Sequence, residues 1–215
     1  MVLLQPSRSF VDPDHPPVSE PGLDLPEAAW NRLSRALVRA AEAERTAEEQ
    51  RLRIAQLEAT LYTDDLTGLY NRRALVLELE REIASCAELP EAAGLAVVLD
   101  LEGIRSINER FGAQVGDAML RRAARALCAA ARPQDVVARI GGDEFGVLLT
   151  QSAGAAGLRL AEGLRESFHA ARLDHAGLAI PLRASFGWRP YGAGDAAGAV
   201  LAAADLAMAR ARRPG

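Results

Sequence analysis

The sequence is poor in the residues that build special chemistry or special compartments. Of 215 residues, two are cysteine and three are histidine, and neither set has zinc-ligand spacing or forms a disulfide framework. That cysteine usage fits a reducing compartment, the cytoplasm. Aromatics are only 5% of the chain, so a core must be built from Leu, Val, Ile and Ala. No run reaches the 18 or so apolar residues of a membrane span. The opening MVLLQPSRSF has no apolar stretch long enough for a secretory signal. Basic residues are in deficit: 25 Lys and Arg face 29 Asp and Glu, a net charge of −4 that argues against nucleic acid as a partner. With 49% hydrophobic and 25% charged residues, the chain has the composition of an ordinary globular domain with an accessory segment.

Prolines crowd residues 1–26, and no apolar period runs through them; this stretch reads as a disordered leader. Over residues 27–62 proline and glycine vanish. Leu33, Ala40, Ala47, Ile54 and Leu61 recur seven apart, with Ala36, Ala43, Gln50 and Leu57 between them. That 3,4 spacing predicts a stalk helix able to pair as a dimeric coiled coil, most firmly towards Ile54, Leu57 and Leu61. A single solvated helix is the plain alternative, because alanine is a weak seam residue.

The segment from Thr63 to Gly215 reads as one α+β domain. Asn71 is placed to cap a helix over 72–87. Gly94–Leu101 is a near-continuous apolar run, a buried strand carrying Asp100 near its carboxyl end. A short helix over 104–111 and a longer one over 115–131 follow. DVVARI (135–140) and EFGVLL (144–149) form a hairpin about Gly141, Gly142 and Asp143. A helix over 154–172, a strand over 180–189 and a helix over 196–212 complete a mixed central sheet with helices mainly on one face.

Two acidic positions stand out: Asp100 at a buried strand end, and Asp143–Glu144 at a glycine turn. Carboxylates beside hydrophobic strands are costly unless compensated. A divalent cation such as Mg²⁺, which takes one or two carboxylates plus substrate phosphates, would compensate them. Gly141 and Gly142 lack a Cβ and so allow a ligand near the backbone. An ordinary tight hairpin with solvated acids is the plain alternative.

Gly141–Phe145 spells GGDEF within ARIGGDEFGVLL. TDDLTGLYNRR (63–73), DLEGIRSINERFGAQVGD (100–117), ASFGW (184–188) and ADLAMARAR (204–212) stand around it in order. The segment from Thr63 onward resembles the GGDEF-domain diguanylate cyclases. The resemblance implies a nucleotidyl-cyclase-like fold and condensation of two GTP into cyclic di-GMP with release of two pyrophosphates. It also implies two Mg²⁺ per half-site, with Mn²⁺ as a substitute, and a homodimer in which each domain holds one GTP. By position it gives Asp100, Asp143 and Glu144 as catalytic residues. The same three ligate metal with the Leu101 carbonyl. Gly103, Ile104, Arg105, Gly141, Gly142 and Arg212 lie at the phosphates, and Asn108 and Asp117 read the guanine. Arg132 and Asp135 match the family's RxxD site for inhibition by the product. Glu102 replaces the usual second acid, Gly103 a usual aromatic (a looser loop is expected), and Arg105 and Arg212 the usual lysines. The pattern's last phosphate arginine has no counterpart before Gly215, which on this reading lowers triphosphate affinity. The other class of function in view is a catalytically inactive receptor for GTP or cyclic di-GMP. A regulatory protein gripping the stalk is a further expected partner.

Overall fold

The computed structural model describes residues 26–212. The leader reading, apart from Pro26, and the reading of the pattern's end at Gly215 fall outside them. Helix α1 is continuous over Glu27–Tyr62. Trp30, Leu33, Leu37, Ile54 and Leu61 are all exposed on it.

The remainder runs β1 (Tyr70–Asn71), α2 (Arg72–Glu88), β2 (Gly94–Leu101), α3 (Ile104–Phe111), α4 (Ala113–Ala130), β3 (Val136–Arg139) and β4 (Glu144–Leu149). It continues with α5 (Gly154–Ala170), β5 (Arg172–His175), β6 (Leu178–Pro181), β7 (Ala184–Tyr191) and α6 (Ala197–Ala211). Asn71 caps α2 as its residue type demands, its Oδ1 accepting from the Ala74 amide at 3.1 Å. Its Nδ2 donates to the carbonyls of Leu61 (2.9 Å) and Thr63 (3.3 Å), fixing the end of α1 to the start of α2.

Five strands form one sheet in the order β1-β3-β4-β2-β7, with β1 parallel to β3 and every other pair antiparallel. Strand β2, between β4 and β7, is buried along its whole length. Leu95, Val97, Leu99 and Leu101 point to a core closed by α4 and α5, whereas Ala96 and Val98 point to a second core closed by α2 and α6. Helices therefore cover both faces, not mainly one. The physical reason is the β2 run itself, since a strand apolar at every position must be covered twice.

The strand expected over 180–189 is two strands. β6 pairs with β5 in a separate two-stranded sheet, and β7 pairs with β2. The chain changes sheets at Leu182–Arg183, where the Leu182 amide donates to the Ala171 carbonyl at 3.1 Å. His175 is the last residue of β5.

Candidate active site

Asp100 and Glu144 are direct cross-strand partners in the β2–β4 ladder. The two acids, 44 positions apart in sequence, thus lie at one end of one sheet. Asp143 sits in the turn before Glu144, its carbonyl accepting from the Leu101 amide at 2.9 Å. That bond ties the turn to the end of β2. Asp100 is buried, and α6 delivers a counter-charge to it: Arg212 Nη1 lies 2.7 Å from Asp100 Oδ2. Ser185, opposite Asp100 on β7, donates to Glu102 Oε1 at 2.7 Å.

The electrostatics show an excess of negative charge. Burial pushes the Asp100 carboxyl above its ordinary range and Asp143 pushes it further; Arg212 offsets part of this, while Glu102 and Asp205 add to it. Burial, then Asp205, Asp100 and Asp143, raise Glu144 in the same way, against Arg72 alone. Like charges crowded at one sheet end are what a divalent cation would relieve. Among the described residues no three carboxylate, histidine or cysteine groups converge on one point. The carboxylate oxygens of Asp100 and Glu144, side by side on the sheet, fit a hard cation completed by phosphate and water.

The glycines act differently from one another. A Cβ on Gly141 would lie 2.5 Å from Glu144 Oε2, so the space freed there receives the protein's own carboxylate. Gly142 is open, with nothing within 4 Å of such a Cβ. Gly103 caps α3 with φ +80°, a left-handed conformation that glycine adopts without strain. That backbone conformation favours the glycine that stands where the family pattern has an aromatic. Ile104 follows as the first residue of α3, half-buried against the α4–α5 core.

Arg105 lies along α3, paired with Glu109 at 3.0 Å and exposed. Asn108 of α3 lies against Gly116 of α4, where any Cβ would overlap the Asn108 amide. Asp117, the next residue, is half-buried. Asn108 and Asp117 therefore flank the α3–α4 junction, and Gly116 is the residue that lets the helices close there.

Arg132 and Asp135 lie at the α4–β3 turn, away from the acids, and bind each other. Asp135 Oδ1 accepts from Arg132 Nη2 (2.7 Å) and the Thr150 amide (3.1 Å); Oδ2 accepts from the Arg132 amide (2.9 Å) and Nε (3.0 Å). The Asp135 side chain is 1% exposed and Arg132 is 30% exposed, so only the arginine presents itself outward. A cavity of about 420 Å³ opens beside them.

Several residues at the site left no signal in the sequence reading. Arg139 donates from Nη1 to both Asp64 oxygens at 3.1 Å and from Nη2 to the Gly142 carbonyl at 2.6 Å, joining the entry segment to the glycine turn. Arg72 and Asp205 line a cavity of about 260 Å³ beside Glu144. Gly116 stands within DLEGIRSINERFGAQVGD, but its spacing alone does not reveal the steric need.

The chain is similar to known proteins over this same domain. The diguanylate cyclase DgcP of Pseudomonas aeruginosa is 38% identical over 153 residues, 71% of this chain and 23% of that protein. The response regulator PleD of Caulobacter vibrioides is 38% identical over 103 residues, 48% of this chain and 22% of that protein. The chain thus spans about a quarter of the length of these relatives. Among solved structures, the coiled coil and GGDEF domain of DgcB from Caulobacter crescentus in complex with c-di-GMP superposes with a TM-score of 0.69 at 28% identity, covering 80% of this chain and 92% of that one. The diguanylate cyclase SiaD in complex with its activator SiaC, from Pseudomonas aeruginosa, gives 0.66 at 28% identity, covering 86% and 71%. Residues 61–215 match the family described as Diguanylate cyclase, GGDEF domain, and with the GGDEF turn set opposite the Asp100 strand end, the chain belongs to the GGDEF-domain diguanylate cyclase family.

Proposed function

We propose that the domain condenses two GTP into cyclic di-GMP across a pair of facing copies. One observation carries this reading: Asp100 and Glu144 are cross-strand neighbours with Asp143 beside them, an acidic end to the sheet. A divalent cation bound there, Mg²⁺ by the chemistry of the donors, supplies charge neutralisation at the phosphates. Asp100 and Glu144 would hold it through their carboxylates and Leu101 through its carbonyl. Asp143 either shares it or takes the proton from the attacking 3′-hydroxyl. In each half-reaction a 3′-oxygen bonds to the α-phosphorus of the other nucleotide, and the bond from that phosphorus to pyrophosphate breaks. The turn from Gly103 to Arg105 presents backbone N–H groups to the phosphates, with Ile104 at the head of α3. Gly142 keeps the opposite side clear, and Gly141 makes room for the Glu144 carboxylate. Asp117 accepts at the guanine edge from the N1–H and 2-amino donors, a pair that adenine does not present, and Asn108 meets the same base through its amide. Arg212 leaves Asp100 for the triphosphate when nucleotide and cation arrive.

We further infer that α1 (27–62) pairs two copies and so sets the concentration and angle of the cyclase domains (63–215). The exposed Leu33, Leu37, Ile54 and Leu61 on that helix support this. A regulatory protein acting on the same helix fits a chain whose structural relative is held by an activator. Product inhibition works through Arg132, with Asp135 orienting the guanidinium rather than reading the purine, because both its oxygens are engaged.

A receptor that binds nucleotide without turnover is favoured by one observation: Arg105 and Arg212 are both engaged with acids. Incubation of the purified protein with GTP and Mg²⁺ separates the two. Cyclic di-GMP and pyrophosphate in a 1:2 ratio, lost in Asp143→Asn and rising faster than linearly with protein concentration, supports the cyclase. Bound GTP with no product overturns it.

A further inference from the structure

A third cavity, of about 730 Å³, lies along the free edge of β7, an edge strand of the sheet. Its walls include Glu102, Arg183, Ser185, His169 and Trp188, and Ala211 of α6 closes one end. Two arginines line it. Arg165 is held by Glu162, with Nη2 at 2.7 Å from Oε2. The Arg183 guanidinium is exposed and makes no hydrogen bond or ion pair among the described residues.

The backbone fixes where Arg183 stands. Its carbonyl accepts from the Glu102 amide at 2.8 Å, so Arg183 lies directly across from the residue that leads into the Gly103 turn. Two residues on, Ser185 reaches Glu102, and Gly187 lies against the α6 backbone at Ala204 and Met208. Ser185 and Gly187 thus face the side on which Asp100 meets Arg212, whereas Glu162, Arg165 and His169 of α5 line the cavity from the other face of the sheet, so the cavity spans the strand edge. The cavity opens at the same sheet end as the acids, reached from the strand edge rather than from the glycine turn.

We propose that Arg183 is a further substrate-binding residue, which grips the terminal phosphates of the nucleoside triphosphate from the β7 edge and holds the pyrophosphate as it leaves. This rests on the cyclase reading above. Three features lead to it. The two arginines already expected at the phosphates, Arg105 and Arg212, are both neutralised by carboxylates, whereas Arg183 is not. A free guanidinium can fork onto two phosphate oxygens, which an ammonium cannot do. The mixed lining, with Glu102 and Glu162 beside the arginines, suits a polyphosphate carrying a divalent cation better than a bare anion.

The test is equilibrium titration of the full chain with the α,β-methylene analogue of GTP and Mg²⁺, with GMP as internal reference. Arg183→Gln is expected to weaken the triphosphate analogue about tenfold and leave GMP within twofold, and Arg183→Lys to recover part of the loss, as a charge-assisted contact to the tail predicts. Triphosphate affinity within twofold of wild type in Arg183→Gln overturns the inference and leaves the cyclase reading standing. So does an equal loss for both nucleotides, which would mark a structural disturbance. A wild-type chain that binds neither nucleotide overturns the cyclase reading, and this inference with it.

Discussion

Removing the Arg139 side chain perturbs fold and site together. Its side chain is 13% exposed and that of Asp64 22%, so the pair is poorly solvated on both sides. Arg139 donates to both Asp64 oxygens at 3.1 Å and twice to the Gly142 carbonyl, at 3.2 Å from Nε and 2.6 Å from Nη2. Arg139→Ala strips these donors at once. Asp64 keeps the Thr67 amide at 2.9 Å and the Thr67 hydroxyl at 2.6 Å, so its charge is not left bare. Hydrogen bonds to charged groups contribute about 1.5–3 kcal/mol each, and water can refill part of the gap, so the net cost is about 2–3 kcal/mol. In a domain of this size that lowers the melting temperature by roughly 5–10 °C. Because Gly142 precedes Asp143, turnover should fall at least about tenfold, in line with a misplaced reacting group. Circular dichroism melts and GTP turnover of Arg139→Ala, Asp64→Asn and the double variant form the test. The two single changes should be non-additive by about 1–2 kcal/mol. A melting temperature within 2 °C of wild type, or strict additivity, would refute the role given to this pair.

Asp64 also sets a pH dependence. Burial raises its carboxyl, but the Thr67 hydroxyl and amide and Arg139 outweigh burial and hold it below its ordinary range. Its contribution to stability is therefore complete above the ordinary carboxylate pKa of about 3.9 and is lost as pH falls through the lower folded value. The melting difference between wild type and Asp64→Asn should vanish in acid, and a difference constant down to pH 2 would contradict this. Glu144→Gln should abolish turnover and yet raise the melting temperature of the nucleotide-free domain at neutral pH by about 2 °C, because it removes one like charge from the acidic sheet end. A lower melting temperature would show that Glu144 is compensated some other way. Gly187→Ala places a methyl against the α6 backbone at Ala204 and Met208 and should cost about 3 kcal/mol by overpacking; wild-type stability would show that α6 yields freely.

Local chemistry made much of this architecture legible. Gly94–Leu101 and Glu144–Leu149 have the same bounds in sequence and structure, because a doubly covered strand must be apolar throughout and a turn acid and glycines mark its neighbour. The Asn71 cap was readable from its residue type before a helix-forming run. The β5–β6 hairpin was not. Its turn places Ala176 at φ +49° and Gly177 at φ +80°, the conformation that usually selects Asn-Gly, and an Ala-Gly pair carries no such mark. Strand β1, at two residues, is too short to show any period.

The candidate site divides in the same way. Asp100 and Glu144 were legible because each stands out against its own apolar strand, and the antiparallel register then made them neighbours. The Arg139–Asp64 pair spans 75 positions, and an arginine that ends a strand has no pattern to announce its partner. At the α4–β3 turn the spacing of Arg132 and Asp135 was plain, but their division of labour was not. Three residues apart, the two could either present both side chains to a ligand or spend one on the other. The Thr150 amide, one residue beyond β4, draws the Asp135 carboxylate inward and favours the second. A sequence motif therefore names the groups that meet a ligand only after the backbone around it has taken its share of their hydrogen bonds. At this turn that share is the whole of Asp135, which leaves Arg132 as the group whose substitution should abolish product inhibition.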